Sequence, residues 1–295
     1  MMTRIAHLSD IHFGANDEKI VAATEAWLQK RQPDLVIISG DLTQRAREGQ
    51  FRAASAYLNR LRAAGLKVLT IPGNHDVPLY DVVRRFAAPL HRYRKYISTD
   101  LCPWFEDDSV AVLGINTARS LTIKDGRINH EQIQMMHERF GQVAASKTRI
   151  LVTHHPLFAM PIGKGSELTE AVGRHENAVK ATCAAGVHIA LAGHFHRTYA
   201  ASASKMVETA GTALVIQAGT ATSTRLRNAE PQSFNWLHVE RRDRIALQVI
   251  VWNGSSFADG SESHFDFDGQ EWSAVDSSAA ARARTEAEHL GAHAG

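Results

Sequence analysis

The fold is decided by residues 68–76, VLTIPGNHD, in which a short apolar run stops at a Pro-Gly turn and is followed by polar residues. An apolar run of this length that ends in turn residues predicts a buried strand. The same arrangement occurs twice earlier, where residues 5–8 lead into Asp10-Ile11-His12 and residues 35–38 lead into Gly40-Asp41. Residues at helical spacing separate these runs. The first 76 residues therefore predict a βαβαβ unit with polar residues directly after each strand.

The remainder of the chain extends this pattern and then changes. Strand patterns at residues 110–115, 149–153 and 187–192 alternate with helical ones, whereas strand patterns from about 198 to 252 follow one another without a helix. This order predicts an α/β fold, a four-layer αββα sandwich in which two mixed β-sheets are flanked by helices. We predict a single domain over residues 1–272 with a helical, cap-like segment at about 78–96. Residues 273–295 are rich in Ala, Ser and Glu and predict a mobile C-terminal tail.

Composition excludes several classes of protein. The chain has 295 residues, 44% of them hydrophobic, and a formal net charge of +2, which is too small for a dedicated nucleic-acid or membrane-surface binder. No stretch stays apolar for the ~20 residues that a membrane span needs, and the N-terminus does not resemble a signal peptide. Two cysteines without a CxxC pair exclude a disulfide framework and a thiolate metal site. A cytoplasmic enzyme is the resulting expectation.

Metal-ligating residue types follow five predicted strands. The segments are Asp10-Ile11-His12, Gly40-Asp41, Gly73-Asn74-His75-Asp76, His154-His155-Pro156 and Gly193-His194-Phe195-His196. Carboxylates and imidazoles bind divalent ions such as Mn, Fe and Zn, and ligands collect at the carboxyl ends of strands in open α/β sheets. Each segment alone is an ordinary polar loop. Five of them at five strand ends favour a metal site over coincidence.

In this order, D-x-H, G-D, G-N-H-D, H and G-H-x-H resemble the signature of the calcineurin-like metallophosphoesterase superfamily, over residues 10–196 and without substitution. The resemblance implies two divalent metal ions (Mn, Fe or Zn). It assigns one to Asp10, His12 and His196, the other to Asn74, His154 and His194, and Asp41 as the bridge between them. It also implies that His75 acts on the phosphate or leaving group and that Asp76 orients it. His154 is preferred over His155 as the ligand because it comes first after its strand. Two such ions generate a hydroxide nucleophile from bound water.

The substrate is less constrained. Segments such as Pro72-Gly73-Asn74-His75-Asp76 and His154-His155-Pro156-Leu157 are most similar to the bacterial cyclic-nucleotide and glycerophosphodiester phosphodiesterases. This resemblance implies a small phosphodiester, such as a 3′,5′-cyclic nucleotide, rather than a nucleic-acid polymer. The alternatives are a pyrophosphohydrolase of a nucleotide-linked lipid precursor, a phosphomonoesterase, and a catalytically silent metal-binding scaffold. Arg225, Arg227 and His155 are candidate substrate contacts, and a homo-oligomer stays open.

Overall fold

The computed structural model describes residues 2–120, 126–157, 175–202, 213–226 and 230–275. The helices in these ranges are α1 (Glu18–Arg31), α2 (Glu48–Ala63), α3 (Val82–Ala87), α4 (His91–Tyr96), α5 (His130–Gly141) and α6 (His175–Ala184). The strands are β1 (Thr3–Leu8), β2 (Leu35–Ile38), β3 (Val68–Thr70), β4 (Trp104–Glu106), β5 (Val110–Ile115), β6 (Thr148–Thr153), β7 (Ile189–Ala192), β8 (Tyr199–Ser202), β9 (Leu214–Gln217), β10 (Ser233–Arg241), β11 (Arg244–Trp252), β12 (Phe257–Phe267) and β13 (Trp272–Val275).

The described strands form two mixed sheets. The first has seven strands in the order β13-β12-β11-β10-β1-β2-β3, with β1, β2 and β3 parallel and β10 antiparallel to β1. The second has six strands in the order β4-β5-β6-β7-β9-β8, in which β5, β6, β7 and β9 are parallel and the two edge strands are antiparallel. Parallel neighbours place their carboxyl ends at the same edge of a sheet.

Four layers follow from the alternation of apolar side chains along the strands. In β2, Leu35 and Ile37 join the apolar core between the two sheets, whereas Val36 and Ile38 pack against the helices outside the first sheet. Helices α1, α2 and α4 cover that outer face, and α5 and α6 cover the outer face of the second sheet. The arrangement confirms the predicted α/β class with two mixed sheets flanked by helices.

Two segments differ from the sequence-based prediction. The helical segment expected over 78–96 is two short helices, because Pro89 cannot continue a helix and restricts the residue before it. The sequence predicted a mobile tail from residue 273, but Trp272–Val275 forms β13 and pairs with β12. Buried Trp272 anchors this strand against the core between the sheets. The remaining tail residues, 276–295, lie outside the described part of the chain.

Candidate metal centre

The five predicted segments all follow strands whose carboxyl ends meet at one end of the sandwich. Asp10 and His12 come after β1, Asp41 after β2 and Asn74 in a single 3-10 turn after β3. The second sheet contributes His154 after β6 and both His194 and His196 after β7. The structure brings all seven predicted ligands together, and they group into two clusters.

The first cluster is built around one carboxylate oxygen. Asp10 Oδ1 lies 3.1 Å from His196 Nε2 and 3.4 Å from His12 Nε2, and the two nitrogens are 3.1 Å apart. The other oxygen, Oδ2, accepts hydrogen bonds from Ser9 Oγ at 2.6 Å and from the backbone N–H of His194 at 2.9 Å. Within the described residues, Asp10 Oδ1 is buried and no group satisfies it with a hydrogen bond of good geometry. Three converging donor atoms of this kind fit a divalent cation.

The second cluster gathers around the amide oxygen of Asn74. Asn74 Oδ1 lies 3.0 Å from His154 Nε2 and 3.1 Å from His194 Nδ1. Asp41 stands between the two clusters, with Oδ2 3.4 Å from His154 Nε2 and 3.7 Å from His12 Nε2. A carboxylate in this position can serve cations in both clusters at once.

Backbone strain is concentrated in these loops. Asp10, His12, Asp41, His194 and His196 all have positive φ, at 54°, 55°, 52°, 79° and 57°. Residues other than glycine rarely adopt this backbone conformation, and each instance costs on the order of 1 kcal/mol of free energy or more. Five strained residues in one place mark a site where the direction of the side chains outweighs local stability.

Two glycines allow the loops to approach one another. Gly40 has a φ of +96°, and a Cβ there would lie 2.6 Å from His154 Nδ1. A Cβ on Gly193 would overlap Ser9 Oγ and lie 2.9 Å from Asp10 Oδ2. Both glycines directly precede ligand residues in the sequence, and the structure shows that a larger residue at either position would collide with a neighbouring loop.

The carboxylates and imidazoles of the centre shift one another's pKa values. Burial alone would raise the pKa of the Asp10 carboxyl, but His196 and His12 hold it well below its usual range. Burial would likewise lower the pKa of His154, yet the Asp41 carboxylate raises it to about 9. Carboxylate and imidazole side chains of the centre therefore favour each other's charged forms.

Hydrogen bonds fix which ring nitrogen faces the centre. His154 Nδ1 donates to Ser39 O at 2.8 Å and His196 Nδ1 to Arg225 O at 3.3 Å, so the Nε2 lone pair of each ring is available to a cation. Thr220 Oγ1 donates to Asp10 O at 2.7 Å and holds the strained loop after β1. Sequence reasoning missed Ser39 and Thr220, because a backbone carbonyl or a distant threonine carries no motif.

His75 lies at the edge of the centre. Its Nδ1 donates to Gln44 O at 2.8 Å, and its backbone N–H donates to Asp41 Oδ1 at 2.8 Å. The ring is edge-on to His12 with centroids 4.9 Å apart. Because Nδ1 is engaged, Nε2 is the ring atom that can exchange a proton with a substrate. Gln44 is a further residue that the sequence did not indicate.

Asp76 lies buried between the loop after β2 and the turn after β3. Its carboxylate accepts hydrogen bonds from the backbone N–H groups of Gly73, Leu42 and Thr43 at 3.0, 3.2 and 2.9 Å and from Thr43 Oγ1 at 2.8 Å. Burial and the nearby Asp41 raise its pKa to about 6. Asp76 thus ties the loop after β2 to the turn after β3, and it affects His75 only through these loops.

The three candidate substrate contacts have different surroundings. His155 is buried, its Nδ1 pairs with Thr117 Oγ1 at 2.8 Å, and its ring centroid lies 4.7 Å from that of His194. A ring nitrogen of His155 also lies close enough to nitrogens of His154 and His194 for the three residues to form a third potential ligand set. His155 therefore belongs to the wall of the centre rather than to an open mouth. Arg225 is exposed beside His196. Arg227 lies outside the described residues.

Comparison with known proteins gives a family and relatives. A family profile described as calcineurin-like phosphoesterase matches residues 3–198. A probable cyclic nucleotide phosphodiesterase of Synechococcus sp. is 23% identical over 218 residues, or 68% of this chain and 75% of that protein. Glycerophosphodiester phosphodiesterase GpdQ of Enterobacter lignolyticus is 33% identical over 84 residues, which are 24% of this chain and 29% of GpdQ.

Among solved structures, purple acid phosphatase PPD1 from yellow lupin (Lupinus luteus) seeds superposes with a TM-score of 0.68 at 14% identity. The superposition covers 88% of this chain and 53% of the lupin protein, so the chain spans about half of that phosphatase. At this identity the likeness concerns the fold. Within the described residues, no helix has the length and apolar character that crossing a bilayer requires.

Proposed function

This chain belongs to the calcineurin-like phosphoesterase family and is a phosphoric ester hydrolase, and we propose that it hydrolyses a phosphodiester at a centre of two divalent metal ions. The observation that carries the proposal is the position of Asp41, whose Oδ2 lies within 3.7 Å of a nitrogen in each of the two ligand clusters. A single ion would need only one of these clusters.

The donor sets fit such ions. Asp10, His12, Asp41 and His196 would hold one, and Asp41, Asn74, His154 and His194 the other. When bound, such ions supply an activated water nucleophile and neutralise charge on the phosphate. Oxygen and imidazole donors without thiolate suit Mn, Fe or Zn. The orphaned Asp10 Oδ1 and the lone pairs directed by Ser39 and Arg225 support this assignment.

The chain itself contributes proton transfer and orientation. His75 holds its Nδ1 proton on Gln44 O, so a protonated Nε2 would donate to the leaving oxygen. Asp76 keeps the loops that carry Asp41 and His75 in register. Arg225, and Arg227 by sequence, would attract the anionic substrate, and His155 would support the rings of His154 and His194 from behind.

The relatives favour a diester. The Synechococcus protein is named as a cyclic nucleotide phosphodiesterase and GpdQ as a glycerophosphodiester phosphodiesterase. We carry this substrate class over to the present chain as a small phosphodiester, such as a 3′,5′-cyclic nucleotide. We further propose that the chain through residue 275 is a single catalytic domain, since both sheets contribute to the centre.

A second substrate class is favoured by one surface. The segment around α3 exposes five large apolar side chains, namely Leu79, Tyr80, Val82, Val83 and Phe86, with Val83 80% exposed. An exposed apolar cap next to a phosphoesterase centre also fits a nucleotide-linked lipid precursor, whose pyrophosphate would be the reacting group.

The test is a substrate panel. Metal-free protein is reconstituted with Mn²⁺ and assayed with bis(p-nitrophenyl) phosphate, p-nitrophenyl phosphate, 3′,5′-cyclic AMP and a lipid-linked nucleotide pyrophosphate. We expect metal-dependent hydrolysis of the diesters and loss of it in Asp41→Ala. Preference for the monoester or for the lipid substrate would discard the diester assignment and keep the family. Metal binding without turnover of any substrate would favour the scaffold alternative.

A further inference from the structure

A basic pocket lies directly beside the candidate metal centre. It encloses about 270 Å³ and is lined by three arginines, Arg45, Arg47 and Arg225, together with Gln44 and Gln50. No carboxylate belongs to its lining. The arginines come from two separate loops, one after β2 and one after β9. Of the three, the sequence had singled out only Arg225.

Two residues of the pocket wall are hydrogen-bonded to histidines of the candidate centre. The backbone carbonyl of Gln44, in the pocket wall, accepts a hydrogen bond from His75 Nδ1 at 2.8 Å. The backbone carbonyl of Arg225 accepts one from His196 Nδ1 at 3.3 Å. A ligand bound at the centre therefore has this pocket as its neighbour on the side of His75, where the leaving group would depart.

The pocket arginines differ from those nearby on α2. Arg52 pairs with Glu48 at 2.8 Å and Arg60 with Glu25 at 2.8 Å. Within the described residues, Arg45, Arg47 and Arg225 form no salt bridge, and all three are exposed. Arg45 only stacks over the Tyr80 ring, at 5.4 Å from its centroid. Three unneutralised guanidinium groups around one cavity create a local field that favours anions.

The loop that carries two of these arginines is fixed by its backbone. Gln50 Oε1 accepts hydrogen bonds from the N–H groups of Arg45 and Arg47 at 2.9 and 3.3 Å. Ala46 between them has a φ of 49°, and its carbonyl accepts a hydrogen bond from Arg92 at 2.8 Å. Because the backbone is held by other residues, the two guanidinium groups stay available for a ligand.

We infer that this pocket binds a second anionic group of the substrate, so that the enzyme prefers phosphodiesters that also carry a phosphate monoester on the leaving side. Guanidinium groups pair with phosphate in a bidentate manner, and three of them match a dianion better than a neutral sugar or base. The inference rests on the proposed function, since it names the substrate class of the same centre.

The test compares two esters that differ by one phosphate, thymidine 5′-(methyl phosphate) and its 3′-phosphorylated form, with Mn²⁺-loaded protein. Chromatography measures the release of the leaving groups, thymidine from the first ester and thymidine 3′-phosphate from the second. We expect kcat/KM to be about tenfold or more higher for the 3′-phosphorylated ester, the scale of one charge-assisted contact. This ratio should collapse towards one in the Arg45→Gln/Arg47→Gln double variant. Arg52→Gln, an arginine on α2 that does not line the pocket, should keep the ratio.

A wild-type ratio near one, or an unchanged ratio in the double variant, would overturn the inference while leaving diester hydrolysis intact. Absence of turnover with both esters would instead contradict the proposed function. In that case calorimetry still decides the inference. The wild type should bind thymidine 3′,5′-bisphosphate about tenfold tighter than thymidine 5′-phosphate. The double variant should bind the two nucleotides with similar affinity. Equal affinities of the wild type for the two nucleotides would overturn the inference.

Discussion

Replacing His75 with alanine should separate proton transfer to the leaving group from the binding of metal ions. The His75 ring donates from Nδ1 to Gln44 O, which leaves Nε2 as the atom available to the substrate. The contact of this residue with the ligand Asp41 is made by its backbone N–H, which alanine retains. We therefore expect His75→Ala to bind as much manganese as the wild type and to lose only the chemistry of the ring.

The size of the loss depends on the leaving group. A positioned general acid contributes typically about 10²–10⁴-fold. Phenolate is a basic leaving group and benefits from a proton, whereas p-nitrophenolate leaves as a stable anion. We expect kcat to fall by about 10²–10⁴-fold for diphenyl phosphate and by roughly tenfold or less for bis(p-nitrophenyl) phosphate.

The assay measures kcat for both diesters with Mn²⁺-loaded wild type and His75→Ala, and metal content on the same samples. His75→Gln is a companion variant, because it keeps a polar side chain without an acid that can titrate. An equal loss on the two esters would mean that the ring acts on the phosphate rather than on the leaving group. Unchanged turnover, or loss of manganese, would refute the reasoning.

Three further outcomes test other parts of the centre. Burial lowers the pKa of His154, but the Asp41 and Asp10 carboxylates and the Ser39 carbonyl together raise it to about 9, so an ion must displace its proton. Manganese affinity should accordingly rise about tenfold per pH unit from neutral pH to about 9, with proton release in calorimetry; no release would remove His154 from the ligand set. Gly193→Ala drives a Cβ into Ser9 Oγ and should weaken manganese binding at least about tenfold, whereas Gly141→Ala, with nothing within 4 Å, should not. Asp76→Ala leaves three backbone N–H groups without an acceptor, those of Leu42, Thr43 and Gly73. It should lower the free energy of unfolding of the metal-free protein by about 3 kcal/mol or more in urea, and a change below about 1 kcal/mol would contradict the role assigned to Asp76.

Much of the fold could be predicted because its central strands are short apolar runs that end in turn residues. The strands that were not predicted lack such an apolar run. The segment Phe257–Phe267 contains Gly260 and several polar residues, and its side chains are largely exposed. It is a strand because β11 offers a partner edge, along which residues 257–266 pair. Pairing of this kind is decided by tertiary contacts rather than by local sequence.

The ligands of the centre could be predicted for a different reason. Asp, Asn and His directly after a strand are uncommon enough as a set to be recognised, and the structure gathers all seven. Their supporting contacts could not be found, since Ser39, Gln44 and Arg225 act through backbone carbonyls that any residue could supply. The contacts of Asp76 with the loop after β2 could not be found either, because adjacency to His75 in sequence does not fix the direction of a side chain in a 3-10 turn, and its role in orienting His75 stays a prediction.

The account depends most on two metal ions that act together through Asp41. The most direct measurement is hydrolysis of bis(p-nitrophenyl) phosphate as Mn²⁺ is titrated into metal-free protein, with bound metal counted at each step. We predict that activity rises to a plateau at about two equivalents per chain and is absent at every metal concentration in Asp41→Ala. Full activity at one equivalent, or undiminished activity in Asp41→Ala, would contradict the two-metal account.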